Sequence, residues 1–219
     1  MKKVGMTITP EMYNGYFENL TAGRRIKCLD QVTGLLEQGI DLKTLYLDLF
    51  RKSLYEIGRL WEIGKISVAT EHMATAITEY LMTLAYPMLF SADHIGRSAI
   101  VSCVANEFHQ IGGKMVADII EANGWDSFFL GADTPVEHLI DMIQEKKPDI
   151  LALSFSVFFN MPHLIAAIEQ VRKTHDRLPI LIGGQAFQWG GQDIAVRYPN
   201  VHFLESLPQI EIFLSQFKG

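Results

Sequence analysis

Residues 106–113, NEFHQIGG, place a carboxylate, an imidazole and two glycines between an apolar run, SAIVSCVA (98–105), and an amphipathic one, KMVADIIEANG (114–124). The first run reads as a buried strand and the second as a helix, so Glu107 and His109 stand where a strand exits. An imidazole in that place can ligate a metal through one ring nitrogen while an acid holds the other. Glycine lets a ligand approach the backbone closely. His109 alone does not decide the matter, because a lone histidine after a strand is as readily an ordinary loop residue. Two further segments carry comparable residue types, Ser154–Asn160 and Gly183–Ala186.

The elements that must position these loops follow from periodicity. From Ser98 onward, apolar strands at 98–104, 127–131, 149–154, 179–183 and 201–204 alternate with amphipathic helices near 111–123, 135–146, 161–175, 190–197 and 208–217. Five βα units predict an open parallel sheet, flavodoxin-like or Rossmann-like, with helices on both faces. Ligands of such sheets bind outside the carboxyl ends of the strands, near the switch in strand order, which puts all three loops at one crevice. No Gly-x-Gly-x-x-Gly follows the first strand, which speaks against a dinucleotide phosphate site.

Residues 1–92 carry helical periodicity throughout. Thr9 precedes a first helix opened by Pro10 and Glu11, with Met12, Tyr16, Phe17 and Leu20 as its apolar side. A second helix fits 22–38, with Ile26, Leu29, Val32, Leu35 and Leu36 on one face and Gly39 ending it. Asp41 is placed to cap a third helix running to Ile63, and Ser67 a fourth reaching Phe90. Four helices on short loops predict a bundle. The polar segment 91–97 reads as a linker, giving a bundle over 1–92 and an α/β domain over 93–219.

The bulk properties set the outer limits. A chain of 219 residues that is 48% hydrophobic and 20% charged can build such a core. A formal net charge of −6 argues against direct nucleic-acid binding. No apolar run is long enough for a membrane span or a signal peptide. Cys28 and Cys103 make no disulfide framework, so a reducing cytoplasm is the expected location.

The spacing of the three loops is specific. Glu107-Phe108-His109-Gln110-Ile111-Gly112 is followed after 41 residues by Ser154-Phe155-Ser156, and after 26 more by Gly183-Gly184. This resembles the cobalamin-binding domain family, whose pattern is Asp-x-His-x-x-Gly, then Ser-x-Leu or Ser-x-Thr, then Gly-Gly, at these intervals. The resemblance implies that His109 replaces the cofactor's own base as lower axial ligand of cobalt (base-off, His-on) and that Glu107 holds its other ring nitrogen. It also implies that Ser154 hydrogen-bonds the displaced base, and that Gly112, Gly183 and Gly184 admit the nucleotide tail. Glu107 stands where Asp is commoner, and Ser156 where Leu or Thr is.

A second constellation lies in the helical half. In LWEIGKISVATEH (60–72), Trp61 is followed after nine residues by Glu71-His72. This resembles the helical cap of the CarH/LitR-type photoreceptors, which bind adenosylcobalamin, and the match extends to Gly64 and Val68. The resemblance implies a cofactor held between bundle and α/β domain. Trp61 would pack on the adenosyl group and Glu71 contact it, and His72 would be a possible cobalt ligand after photolysis. It also implies output through a protein partner or through homo-oligomers, since those photoreceptors carry a DNA-binding domain for which this sequence shows no counterpart. The remaining histidines, His94, His138, His163, His175 and His202, read as surface or loop residues.

The leading expectation is therefore a light-responsive cobalamin sensor rather than an enzyme with turnover. Adenosylcobalamin is its expected ligand, with methylcobalamin or hydroxocobalamin as other forms. The alternative is a corrinoid protein that shuttles methyl groups between methyltransferases, which pairs a helical cap with the same βα domain. A degenerate domain binding haem or no cofactor is the third, and intact His109 and Gly183-Gly184 argue against it.

Overall fold

The structure, a computed structural model, describes residues 6–90 and 92–217; Ser91 of the expected linker lies outside them. The chain divides into two compact units between Met88 and Leu89.

The first unit is helical. Helix α1 (Pro10–Thr21) starts where Thr9 accepts a hydrogen bond from the Met12 N–H, and Pro10 costs nothing in a first turn whose N–H groups are unpaired anyway. Helix α2 (Arg25–Glu37) buries Cys28, Val32 and Leu35, a stripe at four- and three-residue steps. Ile26, expected on that face, is 72% exposed. It lies two residues from Cys28, which is roughly 200° around the helix. The third rod is compound: α3 (Leu42–Thr44), capped by Asp41, a π-helical segment (Leu45–Arg51) and α4 (Lys52–Glu62). The fourth begins where Ser67 caps α5 (Val68–Met82) and continues through a 3₁₀ turn into α6 (Tyr86–Leu89), so it is broken rather than one helix to Phe90. Tyr16, Leu20, Leu49, Phe50, Ile57 and Leu81 are buried within the unit.

The second unit is a five-stranded parallel sheet of order β2-β1-β3-β4-β5. Its elements are β1 (Ser98–Cys103), α7 (Ile111–Ala122), β2 (Asp126–Gly131), α8 (Val136–Lys146), β3 (Ile150–Ser154), α9 (Met161–Thr174), β4 (Ile180–Gly183), α10 (Ile194–Arg197), β5 (Val201–Phe203) and α11 (Leu207–Gln216). The three inner strands are largely buried on both sides, as a sheet covered by helices on both faces requires. The chain runs from β1 outward to β2, then back across to β3. The loops after β1 and β3 therefore diverge at the switch point, and Cys103 pairs with Ser154 at their carboxyl ends.

One expected helix is not continuous. Residues 190–197 contain only α10, preceded by a 3₁₀ turn over Gln185–Trp189. Gly190 and Gly191 sit at φ +123° and +91°, which no α-helix contains, and a Cβ on Gly191 would run into the Met161 methyl.

Candidate functional site

Glu107 is fully buried at the exit of β1, yet its carboxylate is among the most hydrogen-bonded groups in the chain. Its Oε1 accepts from the His109 backbone N–H at 2.9 Å and lies 2.6 Å from His109 Nδ1. Its Oε2 accepts from the Ser156 N–H at 2.7 Å, the Val157 N–H at 3.0 Å and the Asn160 side-chain amide at 3.2 Å. One oxygen thus serves the imidazole and the other ties down the loop after β3. Burial alone would raise the pKa of this carboxyl. The bonds from His109, Val157 and Ser156 outweigh it and hold the group at about 2, below its ordinary 4.5.

An ionised carboxylate only accepts, so the proton of the short contact sits on Nδ1 and the lone pair of a neutral ring on Nε2. That is the tautomer a metal-ligating imidazole needs, with the ring's orientation fixed from behind. The His109 side chain is 58% exposed, so the ring reaches solvent while its anchor does not. The longer Glu in place of Asp still makes a direct contact.

The other sequence-predicted residues divide by what they do. Ser156 contributes its backbone N–H to Glu107, so the departure from Leu or Thr there leaves this interaction intact. Ser154 is buried, and its carbonyl accepts from the Val104 N–H at 3.2 Å, stitching β3 to the loop after β1. Phe108 is exposed beside His109, Ile111 is buried, and the Gln110 amide oxygen lies over Gly131. Of the glycines, Gly112 faces open space, so no packing demand explains it. Gly113 is the packing glycine, with Phe129, Cys103 and Ser154 all within 3.5 Å of a Cβ placed there. Gly184 has its own structural reason, since φ is +126° and a Cβ would collide with the Phe155 backbone. Gly183 likewise has the Leu204 carbonyl 3.0 Å from where its Cβ would be.

Sequence reasoning missed the loop partners. Asn160 occupies the N-cap of α9 but makes no capping bond, because its amide is used on Glu107 and on the Asn106 carbonyl. An Asn immediately before Met161-Pro162 was the available signal, and it pointed to a cap. His163, read as an ordinary surface residue, lies 2.9 Å from the Asn106 side chain.

In the helical unit Trp61 lies at the end of α4, 45% exposed, and Glu71 lies in the first turn of α5 with His72 directly after it, across the turn from Ile63 to Ser67. His72 Nδ1 is 2.6 Å from Glu71 Oε2, and Thr75 donates to Glu71 Oε1 at 3.0 Å. The pairing repeats that of Glu107 and His109, but on a looser footing. The His72 side chain is 74% exposed, and its partner Glu71 takes a further bond from Thr75 where Glu107 takes several.

Residues 97–203 match the model of a B12 binding domain, and residues 12–86 match a second B12 binding domain model. The chain belongs to the B12 binding domain family. It is 30% identical over 160 residues to the HTH-type transcriptional repressor CarA of Myxococcus xanthus, a match covering 71% of this chain and 53% of that protein. The B12-binding chain thus spans about half the length of that relative. It is 24% identical over 154 residues to trimethylamine corrinoid protein 1 of Methanosarcina acetivorans, covering 68% of this chain and 71% of that one. The monomethylamine corrinoid protein of Methanosarcina barkeri superposes with a TM-score of 0.80 over 94% of this chain and 99% of its own, at 15% identity, which shows a shared fold.

The residues present fit the cofactor this family takes. Among the described residues no group of three or more His, Cys, Asp or Glu could hold a bare metal ion. Cobalamin brings its cobalt already held in a corrin ring, so a site for it would need no such group and could contribute a single imidazole nitrogen. His109, held by a buried ionised carboxylate and flanked by the uncrowded Gly112, can provide it. Among the described residues no helix is long and apolar enough to cross a membrane.

Proposed function

We propose that this chain is a light-responsive cobalamin sensor that takes adenosylcobalamin with His109 as lower axial ligand and Trp61, Glu71 and His72 above the corrin. The observation that carries the cobalamin part is the buried Glu107 carboxylate with His109 Nδ1 at 2.6 Å. The regulatory part is supported by the similarity to a transcriptional repressor and by the contrast between the two carboxylate–histidine pairs. Bound adenosylcobalamin would supply a cobalt–carbon bond that light can break. Glu107 is locked by several donors and suits a permanent ligand, whereas the exposed His72 has the freedom to change partners. Trp61 would shield the adenosyl group from water. Glu71 would contact that group while also orienting His72 through Nδ1. A ligand shifts a two-state equilibrium only through unequal interaction with the two states, and these three residues are where the inequality would arise. Output would pass to a protein partner or to a second copy of the chain.

The deciding experiment reconstitutes the protein with adenosylcobalamin in the dark. Absorption, hydrodynamic size and small-angle scattering are then compared before and after green light, alongside His72→Ala. Light should change size or shape in the wild type, and less in the variant. Identical profiles despite confirmed photolysis would sink the sensor reading.

The alternative, a methyl-shuttling corrinoid protein, has the similarity to the trimethylamine corrinoid protein in its favour. Methyl transfer from the loaded chain to a thiol or tetrahydrofolate acceptor by a cognate enzyme would establish it.

Trp61→Ala separates the two readings further. Removing a stacked aromatic costs about 0.5–1.5 kcal/mol, so preference for adenosylcobalamin over hydroxocobalamin should fall severalfold, up to roughly tenfold, in titrations followed by absorption. An unchanged preference would remove Trp61 from the site.

A further inference from the structure

Asn106 is a non-glycine residue at φ +61°, directly before the carboxylate that holds His109. Three residues grip it. Its N–H donates to Asp133 Oδ1 at 2.7 Å, its carbonyl accepts from Asn160 at 3.1 Å, and its side-chain amide lies 2.9 Å from His163 Nε2 in the first turn of α9. Asp133 is itself left-handed, at φ +47°, and its N–H donates to the Glu107 carbonyl at 2.9 Å. Left-handed backbone in a residue with a side chain costs energy and persists only where the surroundings enforce it. Here two such residues interlock beside a site with a demanding geometry. Glu107 must reach His109 with one oxygen and the β3–α9 loop with the other, so its own backbone has to be fixed to within a few tenths of an ångström.

We propose that Asn106 and His163 are positioning residues for His109. Their side-chain bond fastens the loop after β1 to α9 and so keeps the Glu107 carboxylate aimed at Nδ1. Neither residue is among those expected to touch the cofactor. The Asn106 amide donates and His163 Nε2 accepts, so the link needs an acceptor at residue 163 rather than a charge. The inference rests on the reading of His109 as the lower ligand.

The test starts with cobalamin-free protein. Nitrogen-15 NMR of the histidine rings gives the ratio of Nδ1–H to Nε2–H tautomers at His109. Asn106→Gly keeps the left-handed backbone and its N–H and carbonyl contacts but removes the amide. His163→Leu removes the acceptor, and His163→Gln restores one. Asn106→Gly and His163→Leu should each lower the ratio at least threefold, and His163→Gln should stay within twofold of wild type. The same variants loaded with hydroxocobalamin should show the histidine-ligated spectrum reduced in the same order.

A wild-type ratio in both Asn106→Gly and His163→Leu overturns the proposal, whether or not their melting temperatures fall, because a merely structural role would lower stability without moving the tautomer. If His163→Leu does not fold, Asn106→Gly alone decides. Wild-type protein that takes up hydroxocobalamin without a histidine-ligated spectrum would defeat the lower-ligand reading instead, and the tautomer comparison would still stand.

Discussion

His109→Ala is expected to abolish the histidine-ligated cobalt spectrum and to weaken cobalamin uptake by well over tenfold. Changing residues that merely orient a metal ligand costs roughly 10- to 100-fold in affinity, so removing the ligand itself should cost at least as much. The variant should fold. The ring is more than half exposed, and three of the donors on Glu107, from Ser156, Val157 and Asn160, remain. The His109 backbone N–H also still reaches Oε1. Free imidazole added to the variant should restore part of the spectrum, since it supplies the missing nitrogen without the tether. An unchanged cobalt spectrum in His109→Ala would show that another group ligates the metal.

Much of the fold was legible because its signals are local. Thr9, Asp41 and Ser67 each stand before an amphipathic run, and each accepts from a backbone N–H of the first turn. The five strands read as short apolar runs because a parallel sheet covered on both faces needs no polar side. Ile26 does not fit because the buried stripe of α2 begins at Cys28, roughly 200° around the helix from it. The π-helical stretch over Leu45–Arg51 was illegible for another reason. Its buried residues, Leu45, Tyr46, Leu49 and Phe50, also fit an α-helical stripe, and one wider turn leaves no mark in the pattern. Gly190-Gly191 should have broken the expected helix at 190–197, since paired glycines are poor helix formers.

The site was legible in its side chains and hidden in its backbone. Glu107 and His109 stand two residues apart, and the structure joins them. What holds Glu107 comes from about fifty positions away, and two of those donors are the main-chain N–H groups of Ser156 and Val157. Any non-proline residue can supply such a donor, so no residue type announces it. The glycines read alike in the sequence but differ in the structure. Gly184 has a packing demand of its own from the Phe155 backbone, whereas nothing stands within 4 Å of a Cβ placed on Gly112. Space around a missing side chain, which only coordinates reveal, separates the two cases.

The buried carboxylate carries the largest expected effect on stability. Glu107→Ala would leave the N–H groups of His109, Ser156 and Val157 and the Asn160 amide without the buried carboxylate that accepts from them. Each buried donor left without a partner costs about 1–3 kcal/mol, partly recovered if water enters, so a loss of at least about 3 kcal/mol is expected. For a chain of this size that lowers the melting temperature of the α/β transition by roughly 10 °C. The effect should also depend on pH in a defined sense. The folded carboxyl titrates at about 2 against an ordinary 4.5, so its folded value is depressed. Its contribution is fully present above pH 4.5 and is lost as pH falls toward 2, on the order of 3 kcal/mol in all. Glu107→Gln keeps a similar shape but has no charge to lose. Urea unfolding of wild type and Glu107→Gln should therefore give stability curves far apart at pH 7 that converge as pH falls from 4.5 toward 2. Parallel curves across that window would mean that Glu107 is not held ionised by its neighbours, and the proton on Nδ1 of His109 would have to be reassigned.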